Sequence, residues 1–258
     1  MICAGVDAGS RAIKVVLFDT SASKPVGTGI TDQGVEQARL AEELYDRTLR
    51  EAGLQRAEVQ SVVATGYGRM RVRFADTTIT EITCHACGVH HLVPDTRTVI
   101  EIGGQDSKVI QLEDGGRVRD FSMNDRCAAG TGRFLEVVAA RMGVDLPGLG
   151  ELSRRSEKPA AISSTCVVFA ETEIIGLLAE GASAPDIAAG VQASIASRVV
   201  TLAGRALARP VCFTGGVALQ PGMIRALEDA LRLLIRVAPD PQFTGALGAA
   251  ILAGRRCS

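Results

Sequence analysis

The apolar residues near the N-terminus fall into two short runs on either side of a small polar turn. Apolar and small residues run from Ile2 to Val6, the stretch Asp7 to Ser10 interrupts them, and apolar residues resume from Ile13 to Leu17. Runs of this length joined by a turn of Asp, Gly and Ser predict a β-hairpin. The stretch from Thr98 to Leu112 repeats the plan, again with a small and acidic turn followed by a lysine. This repetition predicts a duplicated fold whose halves each open with a hairpin.

The boundary between the halves is expected near Pro94 and Asp95, which divides the chain into residues 1–94 and 95–258. Apolar residues with helical spacing predict helices over 34–53, 132–142, 183–207 and 223–234. Short apolar runs predict strands over 59–65 and 211–214. Hairpins followed by strands that alternate with helices indicate an α/β fold, with helices covering mixed sheets.

Composition narrows the function classes. The 258 residues are 47% hydrophobic, and 28 basic against 29 acidic residues leave a formal net charge of −1. A balanced charge provides no bulk attraction to nucleic acid or anionic membranes, so we expect neither as a partner. The N-terminus lacks a signal-peptide pattern, and no apolar stretch of about twenty residues occurs elsewhere. We therefore expect a cytoplasmic protein.

The turns of the two hairpins carry residues suited to phosphate chemistry. A turn with small side chains lets backbone N–H groups approach phosphate oxygens, while the Asp7 carboxylate is suited to a hydrated Mg²⁺. The first turn alone is better explained as an ordinary turn, because Asp, Gly and Ser are common in turns. The second turn, Gly103 to Lys108, adds a glycine pair and another carboxylate, and a further glycine pair follows at Gly215 and Gly216. Only four of the basic residues are lysines, and Lys14 and Lys108 lie in the matched hairpins.

Seven scattered cysteines in a reducing compartment suggest metal or redox chemistry rather than a disulfide framework. Cys84 and Cys87 form half of a zinc motif, with His85, His90 and His91 nearby, but no second half follows. A structural role as buried thiols is the favoured interpretation of this pair. Cys3 and Cys212 lie in apolar strands and are expected in the core, and Cys257 lies in the tail.

Several motifs together resemble a known family. They are Gly5–Ser10, Glu101–Lys108, Asn124–Phe134, Ser164–Cys166 and Phe213–Gly216. The hairpin turns and the last glycine pair resemble the phosphate and adenosine motifs of the sugar kinase, heat-shock chaperone and actin superfamily. The full set resembles the activator proteins of 2-hydroxyacyl-CoA dehydratases, ATPases of the BadF/BadG/BcrA/BcrD type that are related to the ATPase subunits of benzoyl-CoA reductase. The resemblance spans nearly the whole chain.

The resemblance implies a duplicated actin-like (ribonuclease H-like) α/β ATPase with two lobes, a nucleotide in the cleft and a C-terminal helix that packs back on the first lobe. It also implies a homodimer that shares one [4Fe-4S] cluster, with Cys127 and Cys166 as ligands. Four thiolates suit such a cluster, so two per chain complete the set across a two-fold axis. The implied activity is ATP-driven transfer of one electron from a ferredoxin or flavodoxin to a 2-hydroxyacyl-CoA dehydratase.

The resemblance also assigns roles to individual residues. Asp7 would hold Mg²⁺ through water, and Gln105 or Asp106 would orient the attacking water. Residues expected to contact ATP or ADP are Gly9, Ser10, Lys14, Gly103, Gly104, Lys108, Gly130, Thr131, Gly132, Gly215, Gly216 and Gln242.

Three alternatives remain open from the sequence. An ATPase subunit of a benzoyl-CoA reductase-type enzyme would share all the motifs. A small-molecule kinase of the superfamily would use the same nucleotide motifs but leave Cys127 and Cys166 unexplained. A nucleotide-dependent assembly protein would use ATP only to switch contacts.

Overall fold

The computed structural model describes residues 1–163, 166–204 and 207–257. The chain divides into two compact units. Unit 1 contains residues 1–99, 110–120 and 238–258, and unit 2 contains residues 100–109 and 121–237. That the two predicted halves act as separate lobes stays a prediction.

Ten strands and eight α-helices make up the described chain. The strands are β1 (Ile2–Ala8), β2 (Ala12–Asp19), β3 (Lys24–Asp32), β4 (Val59–Thr65), β5 (Thr77–Thr78), β6 (Thr98–Ile102), β7 (Ser107–Leu112), β8 (Val118–Asn124), β9 (Val211–Thr214) and β10 (Arg236–Val237). The helices are α1 (Gln37–Glu51), α2 (Glu81–Leu92), α3 (Gly132–Arg141), α4 (Leu146–Arg154), α5 (Val167–Ala179), α6 (Ala184–Ala203), α7 (Pro221–Leu231) and α8 (Thr244–Cys257).

The first sheet has the strand order β3-β2-β1-β4-β5. β1 and β2 pair antiparallel, whereas β1 and β4 pair parallel, so the sheet is mixed as predicted. The antiparallel register places Asp7 opposite Lys14 and confirms the first hairpin. β1 is buried along nearly its whole length because helices cover it. Asp7, near the C-terminal end of this strand, is therefore held in a fixed position.

Two helices of unit 1 pack closely because they cross at glycines. A Cβ on Gly88 of α2 would collide with the carbonyl oxygen of Thr244, and one on Gly248 of α8 would collide with that of Cys84. A Cβ on Gly5 of β1 would likewise collide with the carbonyl oxygen of Ala246 in α8. Bare backbones allow this approach. The close packing fixes the N-terminal turns of α2 and α8 beside the end of β1.

The second sheet has the order β10-β9-β6-β7-β8, and β6 and β7 form the predicted second hairpin. The strands over 59–65 and 211–214 are confirmed with the predicted bounds. The large apolar side chains Phe134, Leu149, Ile174 and Phe213 form much of the core of unit 2.

Two predicted helices in unit 2 differ at their ends. α6 begins after Ser183, whose side chain accepts a hydrogen bond from Asp186 N–H, and ends at Gly204 with φ +66°, short of the predicted residue 207. α7 begins two residues before the predicted start, with Pro221 in its first turn, and ends at Arg232 in the left-handed conformation. Residues 205–206 lie outside the described chain. Among the described helices, none combines the length and the apolar character that a bilayer span requires.

Candidate active site and candidate cluster ligands

The Asp7 carboxylate lies in a tight enclosure, which we call the Asp7 cradle, formed by Lys14, Gly9, Gly66 and Gly245. Lys14 Nζ donates a hydrogen bond to Asp7 Oδ2 at 3.2 Å. A Cβ on Gly66 would collide with Asp7 Oδ1, and one on Gly245 would lie 3.3 Å from Asp7 Oδ2. The absence of a side chain at both glycines therefore lets the backbone pack closely against the carboxylate.

The turn after Asp7 is closed by short backbone contacts. Gly9 N–H donates to the carbonyl oxygen of Ala12 at 3.1 Å, and Gln33 Nε2 donates to the carbonyl oxygen of Gly9 at 2.8 Å. A Cβ on Gly9 would lie 3.0 Å from Lys14 Nζ. Ser10 is half-buried at the tip of this turn. The predicted residues Asp7, Gly9, Ser10 and Lys14 thus lie together at the turn end of the first hairpin.

His85 is a second buried titratable side chain beside the Asp7 cradle. Its Nδ1 lies 2.9 Å from the Thr244 hydroxyl oxygen. The Cβ position of Gly245 is 3.1 Å from His85 Nε2 and 3.3 Å from Asp7 Oδ2, so the two side chains face each other across this glycine. The sequence analysis gave His85, Thr244 and Gly245 no role at this site. Only their convergence from α2 and α8 on the end of β1 brings them together.

A matching arrangement lies in the second hairpin, and we call it the Glu101 cradle: Glu101, Asp106, Lys108, Gly103 and Gly215. Lys108 Nζ donates to Glu101 Oε2 at 2.7 Å and to Asp106 Oδ2 at 2.8 Å. The Lys108 side chain is only 2% exposed. A Cβ on Gly103 would lie 2.6 Å from Asp106 Oδ1, and one on Gly215, which has φ +90°, would lie 2.7 Å from Glu101 Oε1. Two carboxylates, rather than solvent, therefore surround the Lys108 ammonium.

Glu101 has no assigned role in the sequence analysis, although a signal for it exists. Asp7 and Lys14 are separated by seven residues, and so are Glu101 and Lys108. The duplication thus aligns Glu101 with Asp7. Of the two candidates for orienting water, Asp106 is bonded to Lys108, whereas Gln105 is exposed.

The start of α3 is tied to the second turn. Gly132 N–H donates to the carbonyl oxygen of Gly103 at 2.9 Å, and Arg133 N–H donates to that of Gly104 at 2.8 Å. Gly130 and Thr131 are buried just before the helix. The first N–H groups of α3 are therefore engaged by the turn. Gly132 acts here as a packing residue, and its predicted contact with nucleotide stays a prediction.

Gly216 and Gln242 lie in different units. Gly216 opens a short 3-10 helix directly after β9, and a Cβ there would meet no atom within 4 Å. Gln242 is half-buried in a short 3-10 helix before α8, in unit 1. Their predicted contacts with nucleotide are not tested by this structure.

A cavity of about 920 Å³ lies in unit 2 among α4, α6 and α7. Ser153, Ser156, Gln192 and Gly222 are among its lining residues. Gln192 is 1% exposed, and its Nε2 has no hydrogen-bond partner among the described residues. A buried amide without a partner is costly, so this donor is suited to a ligand.

Cys127 and Cys166 each precede a helical segment in unit 2. Cys127 is half-buried before the 3-10 helix Ala128–Gly130, and Cys166 is exposed at the N-cap of α5. The Asn124 side chain holds the Cys127 backbone, accepting from its N–H at 3.1 Å and donating to its carbonyl oxygen at 2.8 Å. Ser164 and Thr165 of the Ser164–Cys166 motif lie outside the described residues.

The other cysteine pair is buried within unit 1. Cys84 and Cys87 lie one turn apart on α2, and burial raises the pKa of the Cys84 thiol to about 12 and also raises that of Cys87. In the part of the chain that the structure describes, no group of three or more His, Cys, Asp or Glu residues is placed to hold a metal ion. Cys3 and Cys212 are buried and Cys257 is exposed, as predicted. These observations favour the structural interpretation of Cys84 and Cys87.

Comparisons with known proteins find relatives that match nearly the whole chain. The 2-hydroxyisocaproyl-CoA dehydratase activator of Clostridioides difficile is 46% identical over 98% of this chain and 95% of its own length. The activator of lactoyl-CoA dehydratase of Anaerotignum propionicum is 45% identical over 98% of this chain and 97% of its own length. A solved structure of the activator of the 2-hydroxyisocaproyl-CoA dehydratase from Clostridium difficile, with bound ADPNP, superimposes with a TM-score of 0.93 at 43% identity, covering 99% of this chain and 95% of that one.

These matches confirm the predicted actin-like ATPase fold. The sequence profile of one ATPase family matches residues 4–253, nearly the whole chain. The chain therefore belongs to the BadF/BadG/BcrA/BcrD ATPase family.

Proposed function

We propose that this ATPase is the activator of a 2-hydroxyacyl-CoA dehydratase, to which it delivers one electron at the expense of ATP. The observation that carries the proposal is the placement of Cys127 and Cys166. Both are accessible thiols that directly precede helical segments of an ATPase whose relatives are named as such activators.

The nucleotide chemistry rests on the two cradles. Asp7 would hold hydrated Mg²⁺, because Lys14 and the closely packed Gly66 and Gly245 fix its carboxylate at the end of β1. Lys14 and the Gly9–Ser10 turn contact phosphate oxygens, and so do Gly103 and Gly104. Gln105 orients the attacking water, because Asp106 is already bonded to Lys108. Lys108 pairs with both Glu101 and Asp106, which leaves the three side chains with a net charge of −1 beside the second turn.

The cavity among α4, α6 and α7 receives the nucleoside. α7 begins five residues after the Gly216 turn, so this cavity lies next along the chain to the predicted adenosine motif. Pro221 and Gly222 line it, together with the unpartnered Gln192 amide. A purine offers ring nitrogens as acceptors for such a donor.

The residues at the cluster ligand positions fit a [4Fe-4S] group. Such a cluster takes four thiolates, and unit 2 offers two accessible thiols per chain, since Cys212 is buried. Two chains related by a two-fold axis therefore complete the set. When bound, the cluster supplies one-electron redox chemistry. Cys166 lies at the N-terminal end of α5, and the partial positive charge of this helix end favours an anionic group.

α5 also provides a surface for the second chain. Val168, Phe169, Ile175 and Leu178 are exposed along this helix, and only Ala170 and Ile174 are buried. An exposed apolar helix next to a proposed shared ligand is suited to a homodimer contact. The electron donor in this proposal is a ferredoxin or flavodoxin, and the acceptor is the dehydratase.

Anaerobic iron and sulfide analysis tests the proposal. We expect about four irons per dimer, and we expect Cys127→Ala and Cys166→Ala each to remove them. Cys84→Ala and Cys87→Ala are the matched controls and should retain iron. About four irons per monomer that are lost in Cys87→Ala would contradict a shared cluster. A colourless protein whose ATP use depends on a small-molecule acceptor would instead indicate a kinase.

A further inference from the structure

The segment from Gly66 to Arg73, which follows β4 in unit 1, places four large side chains at the surface. Tyr67 is 81% exposed and Met70 is 76% exposed, and Arg71 and Arg73 are also exposed. Tyr, Met and Arg are the residue types enriched in protein interfaces. The other tyrosine of the chain, Tyr45, is buried in the core of unit 1.

The positive charge of this segment is carried by Arg69, Arg71 and Arg73. Arg71 and Arg73 form no ion pair with any residue that the structure describes. Other surface arginines of unit 1 do form ion pairs. Arg39 pairs with Glu36 and Glu43, and Arg56 pairs with Glu42 and Asp46. Two unpaired guanidinium groups beside an exposed Tyr and Met are complementary to an acidic surface with apolar contacts.

The same segment is anchored to the turn that follows Asp7. Gly66 has φ +86° and contacts the Asp7 carboxylate so closely that a Cβ would collide with it. Gly68 N–H donates to the carbonyl oxygen of Ala8 at 2.8 Å, and Arg69 donates to the carbonyl oxygen of Gly66 at 3.0 Å. A partner bound to this segment would therefore contact residues that are hydrogen-bonded to the backbone next to Asp7.

We propose that the exposed side chains of this segment, Tyr67, Met70, Arg71 and Arg73, form a docking surface for an acidic face of the dehydratase, the electron acceptor. This inference rests on the proposed function. The acceptor is favoured over the electron donor because electron delivery must be coupled to the nucleotide, and this surface is joined to the Asp7 turn. Charge complementarity selects an acidic rather than a basic partner face.

The experiment uses the iron-loaded protein and the dehydratase from Clostridioides difficile as the probe partner. Dithionite replaces the protein electron donor, so any defect reports on the acceptor. The variants are Tyr67→Ser with Arg71→Glu and, independently, Met70→Ser with Arg73→Glu. The matched control is Val35→Ser with Arg256→Glu, which changes an equally exposed apolar residue and arginine in unit 1.

We expect both docking variants to keep the parent's iron content and basal ATP hydrolysis. The concentration that gives half-maximal dehydratase activation should rise at least about tenfold, since each variant both truncates an exposed Tyr or Met and reverses a charge at the docking surface. Anaerobic sedimentation should show a matching loss of complex formation. Added salt should weaken binding by the parent more than binding by the variants, because each variant replaces an attractive arginine with a repulsive glutamate and salt screens both effects.

Parent-like activation and binding by both docking variants would overturn the docking surface, as would an equal loss in the control. A defect that appears only with a ferredoxin donor and vanishes with dithionite would overturn it too, because the surface would then serve the donor. If the iron-loaded parent itself fails to activate any 2-hydroxyacyl-CoA dehydratase, the proposed function fails instead.

Discussion

Lys14 lies directly opposite Asp7 in the register of the first hairpin, and its Nζ is 3.2 Å from Asp7 Oδ2. The second hairpin repeats this pairing between Glu101 and Lys108, at 2.7 Å. The two pairs differ in solvent access, because the Lys14 side chain is 17% exposed and that of Lys108 only 2%. A ligand can therefore reach the first ammonium more readily than the second.

The difference predicts unequal effects on stability. Lys108→Met should destabilise the protein by about 3–5 kcal/mol, because it leaves a buried carboxylate without its cation. Lys14→Met should cost less, since Lys14 is partly exposed and pairs with one carboxylate, whereas the buried Lys108 pairs with two. The exposed Lys158→Met serves as the control. Denaturant unfolding measures all three. Equal losses for Lys14→Met and Lys108→Met would contradict the distinction.

Asp7→Asn should lower ATP hydrolysis by at least about 100-fold, because a carboxylate that holds a hydrated metal is replaced by a neutral amide of similar shape. The fold and iron content should remain, since the amide fills the same cradle. Asp32→Asn changes an exposed acid of the same unit and is the control. The steady-state rate of ATP hydrolysis at saturating Mg²⁺ tests this prediction. A parent-like rate in Asp7→Asn would show that Asp7 does not take part in hydrolysis.

Gly245→Ala should impair hydrolysis through Asp7. The added Cβ would lie 3.1 Å from His85 Nε2 and 3.3 Å from Asp7 Oδ2, which forces one of the two side chains to move. Gly245→Val should have a larger effect because it adds two further methyl groups. Mg²⁺ titration of the hydrolysis rate should show a raised requirement in both variants. An unchanged Mg²⁺ requirement would show that Gly245 does not control the Asp7 carboxylate.

Gln192→Leu should separate stability from nucleotide binding. Removing a buried donor that has no partner should leave the unfolding free energy unchanged or higher. The affinity for ADP should nevertheless fall by about tenfold, the effect of losing about one hydrogen bond. Calorimetric titration with ADP checks this, and an affinity equal to the parent's would place the nucleoside elsewhere.

Thiol labelling at mildly alkaline pH should divide the cysteines by burial. In protein prepared without iron, the reactive thiols should be Cys127, Cys166 and Cys257. Cys3, Cys84 and Cys87 should stay unlabelled, because burial raises their pKa values and hides the sulfur atoms. Iron loading should protect Cys127 and Cys166 but not Cys257. Mass spectrometry of the labelled peptides gives the answer, and persistent labelling of Cys166 in the iron-loaded dimer would argue against its role as a ligand.

Sequence patterns alone were enough to predict the two hairpins and their turns and to identify the family. These features depend on neighbours within about ten residues: small turn residues, flanking apolar runs and a lysine seven positions after a carboxylate. The apolar spacing also located the middle of each predicted helix correctly. It predicted the helix ends less well, because α6 and α7 end at Gly204 and Arg232 through backbone conformations that apolar spacing does not reveal.

The residues that surround Asp7 could not be predicted from the sequence, because they come from distant parts of the chain. His85 comes from α2, Gly245 from α8 and Gly66 from the end of β4, and none of them is near Asp7 in the chain. The structure likewise decided that Cys84 and Cys87 are buried and that α5, apolar on most of its surface, leaves Phe169 exposed. Burial and convergence depend on how helices pack on sheets, and local sequence patterns do not specify which long-range contacts that packing makes.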